Sequence, residues 1–437
     1  MKSDRKGLLC IHYYYPPIHS IGVVRNYYLS NELQKYHNPC LILTTSNRKV
    51  LPTSNEFKLN EKVIDVLETK DYRTQLTNKK SAHFKEEQKS SKFAQFGIKL
   101  INSYPFNVLM GEGGKKYVAE GISKGSKFLT NNVDSTIYTS FRPYADLFIG
   151  YKLKLAFPKS KWIVDFRDLH VDPMYKNVYL ESMQHKFNKK MLTKADLIIT
   201  VSNGLKEQLS QYSDRVACIY NGCDISNESE IIHNKKFIIN YTGSLFGEHR
   251  DPSSLFKFLK ACMTSGEIVK HEFQIQYAGK DQDKFEKYIS DYGLESVYEN
   301  KGLVSREESL KLQREANLNL LLTSVTKELK GILTGKLFEY IGSLSSILAL
   351  VSGHKDPEIE ETLCKVEGGR VWYPFEENES TKEWILEIYS EWRDGKERKN
   401  LRANVEKHLS WKSSGNLIMD YLKNGVMNNN LINKGYV

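Results

Sequence analysis

Short runs of β-branched and aromatic residues recur along the chain, separated by longer stretches whose apolar positions fall three and four apart. The runs are LLCIHYYY, PCLILTT, STIYTS, KWIVDF, ADLIITVS and VACIY in the first half. In the second half they are KFIINYTG, FQIQYAG, LNLLLT, SSILALVS and GRVWYP. They are continuous rather than alternating. Strands apolar on both faces need cover on both, and the intervening helical segments supply it, so the pattern predicts parallel α/β sheets. Helical spacing predicts helices over residues 23–36, 181–192, 203–212, 251–263 and 305–316. Ser305 and Glu308 form a capping box at the start of the last.

The pattern breaks at NGCDISNESEIIHNKK (221–236), where polar turn-formers separate two strand-rich halves of similar size. The expected organisation is two Rossmann-like, doubly wound domains, residues 1–222 and 223–410. A helix over 411–425 is expected to pack back on the first domain, with a disordered tail over 426–437. Residues 50–93 are lysine-rich and weakly periodic, which predicts an exposed excursion from the first domain. Sheets of this kind bind ligands at the carboxyl ends of their strands, and two facing sheets imply a cleft.

Composition narrows the function classes. A hydrophobic fraction of 40% and an aromatic fraction of 11% supply real cores. The six cysteines are scattered without CxxC or Cys/His metal spacing, so they read as reduced core thiols, and no metal is expected. No stretch approaches the roughly 20 apolar residues of a membrane span, and the start lacks a cleavable leader, so the expected location is the cytoplasm. Lysine and arginine number 63 against 53 aspartates and glutamates, a net charge of +10 that favours anionic partners. Lys-rich, aromatic-bearing stretches at 89–106 and 151–162 fit an anionic membrane surface, and equally a solvated basic face over buried Phe and Leu. No RNP-like, KH or zinc-finger pattern supports nucleic acid, and neither half has a GxGxxG after its first strand.

Four segments place chemistry at strand ends. In YYYPPIHSIGVVRN (13–26), Gly22 opens a helix bearing Arg25, which suits close approach of a phosphate or an acceptor sugar. In WIVDFRDLHVDP (162–173), Asp165, Asp168 and Asp172 crowd a strand end with Arg167 and His170. They could bind sugar hydroxyls, act as an acid/base pair, or form a structural ion network. In INYTGSLFGEHRDP (239–252), Gly243 and Gly247 could turn backbone amides toward a phosphate, with Arg250 and His249 nearby. In GILTGKLFEYIG (331–342), Lys336 at a helix start could meet a diphosphate. Glu339, three residues on along the same face, could accept hydrogen bonds from ribose hydroxyls.

Taken in order, the strand-PP-x-x-x-x-G segment, DFRD, ADLIITVSNGL, YNGCD, YTGSL and GKLFEYIG resemble the retaining glycosyltransferases of the two-Rossmann-domain GT-B fold. The match is to the bacterial group 1, or family 4, enzymes of surface polysaccharide synthesis, and it runs from about residue 7 to 425. The resemblance implies that Glu339 binds ribose and that Lys336 and Arg250 neutralise the diphosphate. It implies that amides near Leu333 and Thr334 approach phosphates or donor sugar, with Gly22 and Gly243 in the facing loops. Asp165 and Asp168 then join Lys336 and Arg250 as candidate catalytic residues, and Arg25, Arg167 and His170 as acceptor contacts.

The expected function is transfer of a sugar from a nucleoside diphosphate to a glycan acceptor, lipid-linked in this setting, with retention and without a cofactor. A nucleotide-sugar epimerase or a non-catalytic assembly partner are the alternatives. Three positions depart from the family pattern. Gly331 stands where a glutamate commonly precedes the ribose-binding one by eight, Ser244 replaces a common basic residue, and His19-Ser20 replaces a Gly-Gly pair.

Overall fold

A computed structural model of the chain describes residues 6–18, 21–49, 51, 53, 57–69, 92–172, 176–223, 225, 234–245, 250–326, 331 and 333–426. His19, Ser20, Gly247, His249, most of the 50–93 segment and the tail from residue 427 lie outside the described residues.

The chain clusters into two compact units. One runs to Tyr220 and resumes at Ser414, and the other is Asn221–Ser413. The first holds seven parallel strands: β1 (Leu8–Ile11), β2 (Cys40–Thr45), β3 (Ile64–Leu67), β4 (Thr136–Phe141), β5 (Lys161–Phe166), β6 (Leu197–Thr200) and β7 (Val216–Cys218). They lie in the order β3-β2-β1-β4-β5-β6-β7. The second holds β8 (Phe237–Thr242), β9 (Phe273–Ala278), β10 (Tyr298–Gly302), β11 (Leu318–Val325), β12 (Ser346–Gly353) and β13 (Gly369–Trp372), ordered β10-β9-β8-β11-β12-β13. Both orders start centrally, step out to one edge, then reverse across the first strand. That is the doubly wound arrangement, in which the reversal opens a crevice at the strand carboxyl ends.

The central strands are buried as their sequences require. All four residues of β1 and all six of β4 are buried, and β4 pairs with β1 in register from Leu8↔Thr136 to Ile11↔Thr139. Two strands had no signal in the sequence, β3 (IDVL) and β10 (YENKG). Each is a sheet edge with one neighbour, where polar residues are tolerated: Asp65 interrupts the half-buried β3, and Glu299, Asn300 and Lys301 make up most of β10. β3 changes the picture of the 50–93 segment: Ile64–Leu67 pairs with β2 from Ile42 to Thr45 and belongs to the sheet.

Helix bounds follow the apolar spacing within two residues at most starts. The helix Glu181–Leu192 matches its expected span, and Ser305 Oγ accepts the Glu308 amide at 3.1 Å ahead of the helix Arg306–Glu315. The last helix, Trp411–Asn424, clusters with the first unit from Ser414 onward. There Ser414 Oγ donates to the Tyr220 carbonyl and Asn416 accepts from the Tyr36 hydroxyl.

Candidate functional site

In the second unit the site is built at the topological switch between β8 and β11. β8 ends at Thr242, and Tyr340, fully buried on the helix Gly335–Gly342, binds that end: its hydroxyl accepts the Thr242 amide at 3.1 Å. One turn earlier on the same helix face, Lys336 is thereby laid over Gly243. A Cβ on Gly243 would stand 2.7 Å from Lys336 Cε, and Gly243 has φ +148°. Glycine is needed here because the lysine stem occupies the space a side chain would fill.

Around the Lys336 ammonium the charge is mainly positive. Burial lowers its pKa from the ordinary 10.5, Glu339 opposes the shift, and the Arg250 and Arg306 guanidiniums add to it. Arg306 stands 3.8 Å from the Glu339 carboxylate, and Arg250 donates to the Ser244 carbonyl at 3.0 Å. Three cations and one carboxylate thus share the mouth of a helix whose first amides point outward with the positive end of its dipole. Thr334 is the N-cap, yet its side chain makes no capping bond, and Oγ1 is buried without a partner among the described residues. A buried hydroxyl left unpaired at a cationic helix start is suited to a phosphate oxygen. Leu333, just ahead, turns its side chain into the core.

Arg306 is the residue that sequence reasoning missed. It lies just after Ser305 and reads as an ordinary first-turn position, and only the tertiary fold, which sets its helix against β8, brings it to Glu339.

Gly331 has φ +69°, and its amide donates to the buried Asp356 carboxylate at 3.2 Å. Burial raises the Asp356 pKa, and the amides of Glu358, Gly331 and Ile359 hold it back. Gly331 is therefore held in the left-handed region, which disfavours any side chain. Gly331→Glu is expected to lose about 1–2 kcal/mol of stability, read by thermal denaturation. An unchanged melting temperature would show that this loop relaxes freely.

In the first unit the sequence-chosen residues divide into two groups. Arg25 Nε donates to Asp165 Oδ2 at 2.8 Å, the Tyr138 hydroxyl donates to the same oxygen at 2.9 Å, and Arg25 and Asp165 are 1% and 0% exposed. Burial works against the Arg25 charge, and the Asp165 carboxylate more than offsets it, raising the pKa. The pair joins the helix Ile21–Gln34 to β5 from inside. Neither side chain is open to solvent, so both lie beneath this strand end.

What lies above is Arg167. Its guanidinium rests on Gly22, where a Cβ would come within 1.7 Å of Nη1, so the close approach that Gly22 permits is that of Arg167. Burial lowers the Arg167 pKa against the pull of Asp165 and Asp168, and Nε is buried without a partner among the described residues. Asp168 is exposed. His170 is turned away from this group: it is 6% exposed, Nδ1 lies 3.0 Å from Asn188 Oδ1, and Asn107 Nδ2 lies 3.2 Å from Nε2. Burial brings its pKa down to about 4, so the ring is neutral at physiological pH. The structure therefore groups Gly22 with Arg167, and separately Lys336, Glu339, Gly243, Arg250 and Arg306.

No protein-family model and no curated protein matches the sequence. Solved structures match over nearly the whole chain. Sucrose-phosphate synthase from Thermosynechococcus elongatus superposes with a TM-score of 0.54 at 12% identity, covering 96% of this chain and 98% of its own. The lipopolysaccharide outer core galactosyltransferase WaaB matches with 0.52 at 12% identity, over 95% and 99%. The pneumococcal O-GlcNAc transferase GtfA, solved with UDP and GlcNAc, matches with 0.53 at 10% identity, over 97% and 100%. At these identities the likeness establishes the fold. It is the two-Rossmann-domain α/β architecture of GT-B glycosyltransferases.

Proposed function

We propose that the chain is a glycosyltransferase that takes a sugar from a nucleoside diphosphate and passes it to a glycan acceptor. The observation that carries the proposal is the Lys336 site. A half-buried ammonium held over Gly243 at a helix start, near Arg250 and Arg306, provides the charge that a departing diphosphate requires. Glu339, one turn along, supplies acceptors for ribose hydroxyls. Transfer of this kind depends on stabilising the leaving diphosphate more than on a strong protein base. The finer reading is a retaining reaction on a lipid-linked acceptor in surface polysaccharide synthesis, with the basic first unit near an anionic membrane. It rests on the resemblance together with the +10 charge.

The test is a thermal-shift panel with UDP, GDP, ADP and TDP and their sugar conjugates. A ligand at about 100 times its Kd stabilises the native state by about 2.7 kcal/mol, so one nucleotide family is expected to raise the melting temperature by several degrees. No shift with any of them would remove the proposal.

The lowered Lys336 pKa sets the pH dependence. An anion prefers the charged ammonium, so affinity is full at neutral pH and falls as pH rises through a value below 10.5. Titration of binding from pH 7 to 10.5 is expected to show a decline that Lys336→Arg shifts to higher pH. A flat profile would mean that Lys336 does not meet the phosphates.

A further inference from the structure

Arg167 has no role in the diphosphate site, and its surroundings are electrostatically incomplete. A guanidinium carries five N–H donors and no acceptor. Among the described residues this one makes no ion pair, and its Nε is buried without a hydrogen bond. The neighbouring carboxylates are engaged elsewhere. Asp165 pairs with Arg25 and accepts from the Tyr138 hydroxyl, and Asp146 accepts the Tyr13 amide at 2.8 Å and the Tyr117 hydroxyl at 2.7 Å. Asp168 is exposed to water.

The guanidinium also rests against a positive element. Gly22 lies in the first turn of the helix Ile21–Gln34, and a Cβ there would stand 1.7 Å from Arg167 Nη1. The start of a helix is the positive pole of its dipole and favours an anion, yet this first turn contains no acidic residue and a cation is laid on it. Two positive elements in contact, one of them with an unpaired buried donor, form a site that an anion completes. The sheet places it where ligands are bound: strand order reverses between β1 and β4, the helix follows β1, and Arg167 follows β5, the strand beside β4.

The donor's diphosphate does not call for this cation. The second-unit site sets three cations, Lys336, Arg250 and Arg306, against the single carboxylate of Glu339. That surplus matches a sugar nucleotide, which carries one negative charge on each of its phosphates. Arg167 is charge beyond it, so its anion belongs to the other substrate.

We propose that Arg167, resting on the helix start at Gly22, binds an acidic group of the acceptor, so that the chain glycosylates an acidic sugar rather than a neutral one. The inference rests on the transferase reading and adds the acceptor's charge to it. A uronic acid carboxylate and a sugar phosphate ester share the required chemistry, a compact anion able to take two N–H bonds from one guanidinium.

The experiment titrates the full chain with methyl glucuronide, methyl galacturonide and glucose 6-phosphate, with methyl glucoside and methyl galactoside as neutral counterparts, followed by NMR. Each titration is made on the free protein and again with UDP, GDP, ADP or TDP present. At least one acid is expected to bind about tenfold more tightly than its neutral counterpart, and Arg167→Met is expected to remove that advantage. Gly22→Ala keeps every charge and suits a helix, while its Cβ displaces the guanidinium, so it is expected to weaken the acid by a similar factor. Arg215→Met removes the same charge just ahead of β7, at the opposite end of the strands, and is expected to change nothing. Preference for the uronides identifies a carboxylate, and preference for glucose 6-phosphate identifies a phosphate ester. No binding across the panel, equal affinity for acids and neutral sugars, or unaltered acid binding in Gly22→Ala overturns the inference. So does an Arg167→Met variant that weakens the nucleotide and leaves the acids alone, since the arginine then serves the donor. If a nucleotide binds and no acid does, this inference fails alone. If acids bind and no nucleotide does, the transferase reading fails and the anion site stands without it.

Discussion

Lys336→Met is expected to lower kcat by about 10²–10³, the loss typical when one preorganised charge is removed from a developing anion. Methionine keeps a flexible stem over Gly243, so the helix start and the Tyr340–Thr242 bond persist and only the ammonium is lost. Folding stability is expected to hold or rise, because burial already disfavours that charge in the free protein. The nucleotide-induced thermal shift is expected to fall with kcat. This pairing separates the site from a merely structural lysine, whose removal would lower stability and leave any nucleotide shift in proportion. Full turnover in Lys336→Met would end the assignment. Because Arg250 and Arg306 also face the phosphates in this reading, the residual activity is theirs, and adding Arg306→Ala is expected to cost less than its effect alone.

Asp165→Ala is expected to be the most destabilising single change in the first unit, at about 3–5 kcal/mol. It leaves the Arg25 guanidinium in a core where both partners are at most 1% exposed, and it also strips the Tyr138 hydroxyl of its acceptor. The loss is read as an earlier first-unit transition in denaturation, since two units need not unfold as one. Replacing the pair together, Arg25→Met with Asp165→Leu, is expected to recover much of the loss, because no buried charge is then stranded. Equal damage from the single and double variants would show that the carboxylate contributes through something other than Arg25. Recovery of stability without recovery of activity would show that the pair also sets the position of Arg167, which lies in the same strand-end segment.

Gly22 and Gly243 play the same part in the two units. Gly22 lies in the first turn of the helix Ile21–Gln34 and Gly243 directly after β8, and in each the missing Cβ is replaced by a cationic side chain, Arg167 in the first unit and Lys336 in the second. A glycine beside a strand end is commonly read as room for a phosphate. Here the room is occupied by the protein's own cation, and the anion is expected to meet that cation rather than the glycine.

Periodicity alone determined the central architecture, because a strand buried on both faces must be apolar throughout and a helix covering it must be apolar every three or four residues. β1, β4, β5, β8, β11 and β12 were legible for that reason, and with them the strand ends chosen as candidate sites. The edge strands β3 and β10 were not legible, because Asp65 interrupts the one and polar residues make up most of the other, whereas the edge strands β7 and β13 keep apolar residues. Lys336 and Glu339 could be chosen because helical spacing places them on one face without help from the rest of the chain. The partners of the other residues were decided only by tertiary structure. Asp165 meets Arg25 across 140 positions, Arg167 settles on Gly22, and Arg306 reaches Glu339. A local pattern reports whether a residue is buried; which distant side chain it is buried against depends on strand order, and strand order is a property of the folded sheet.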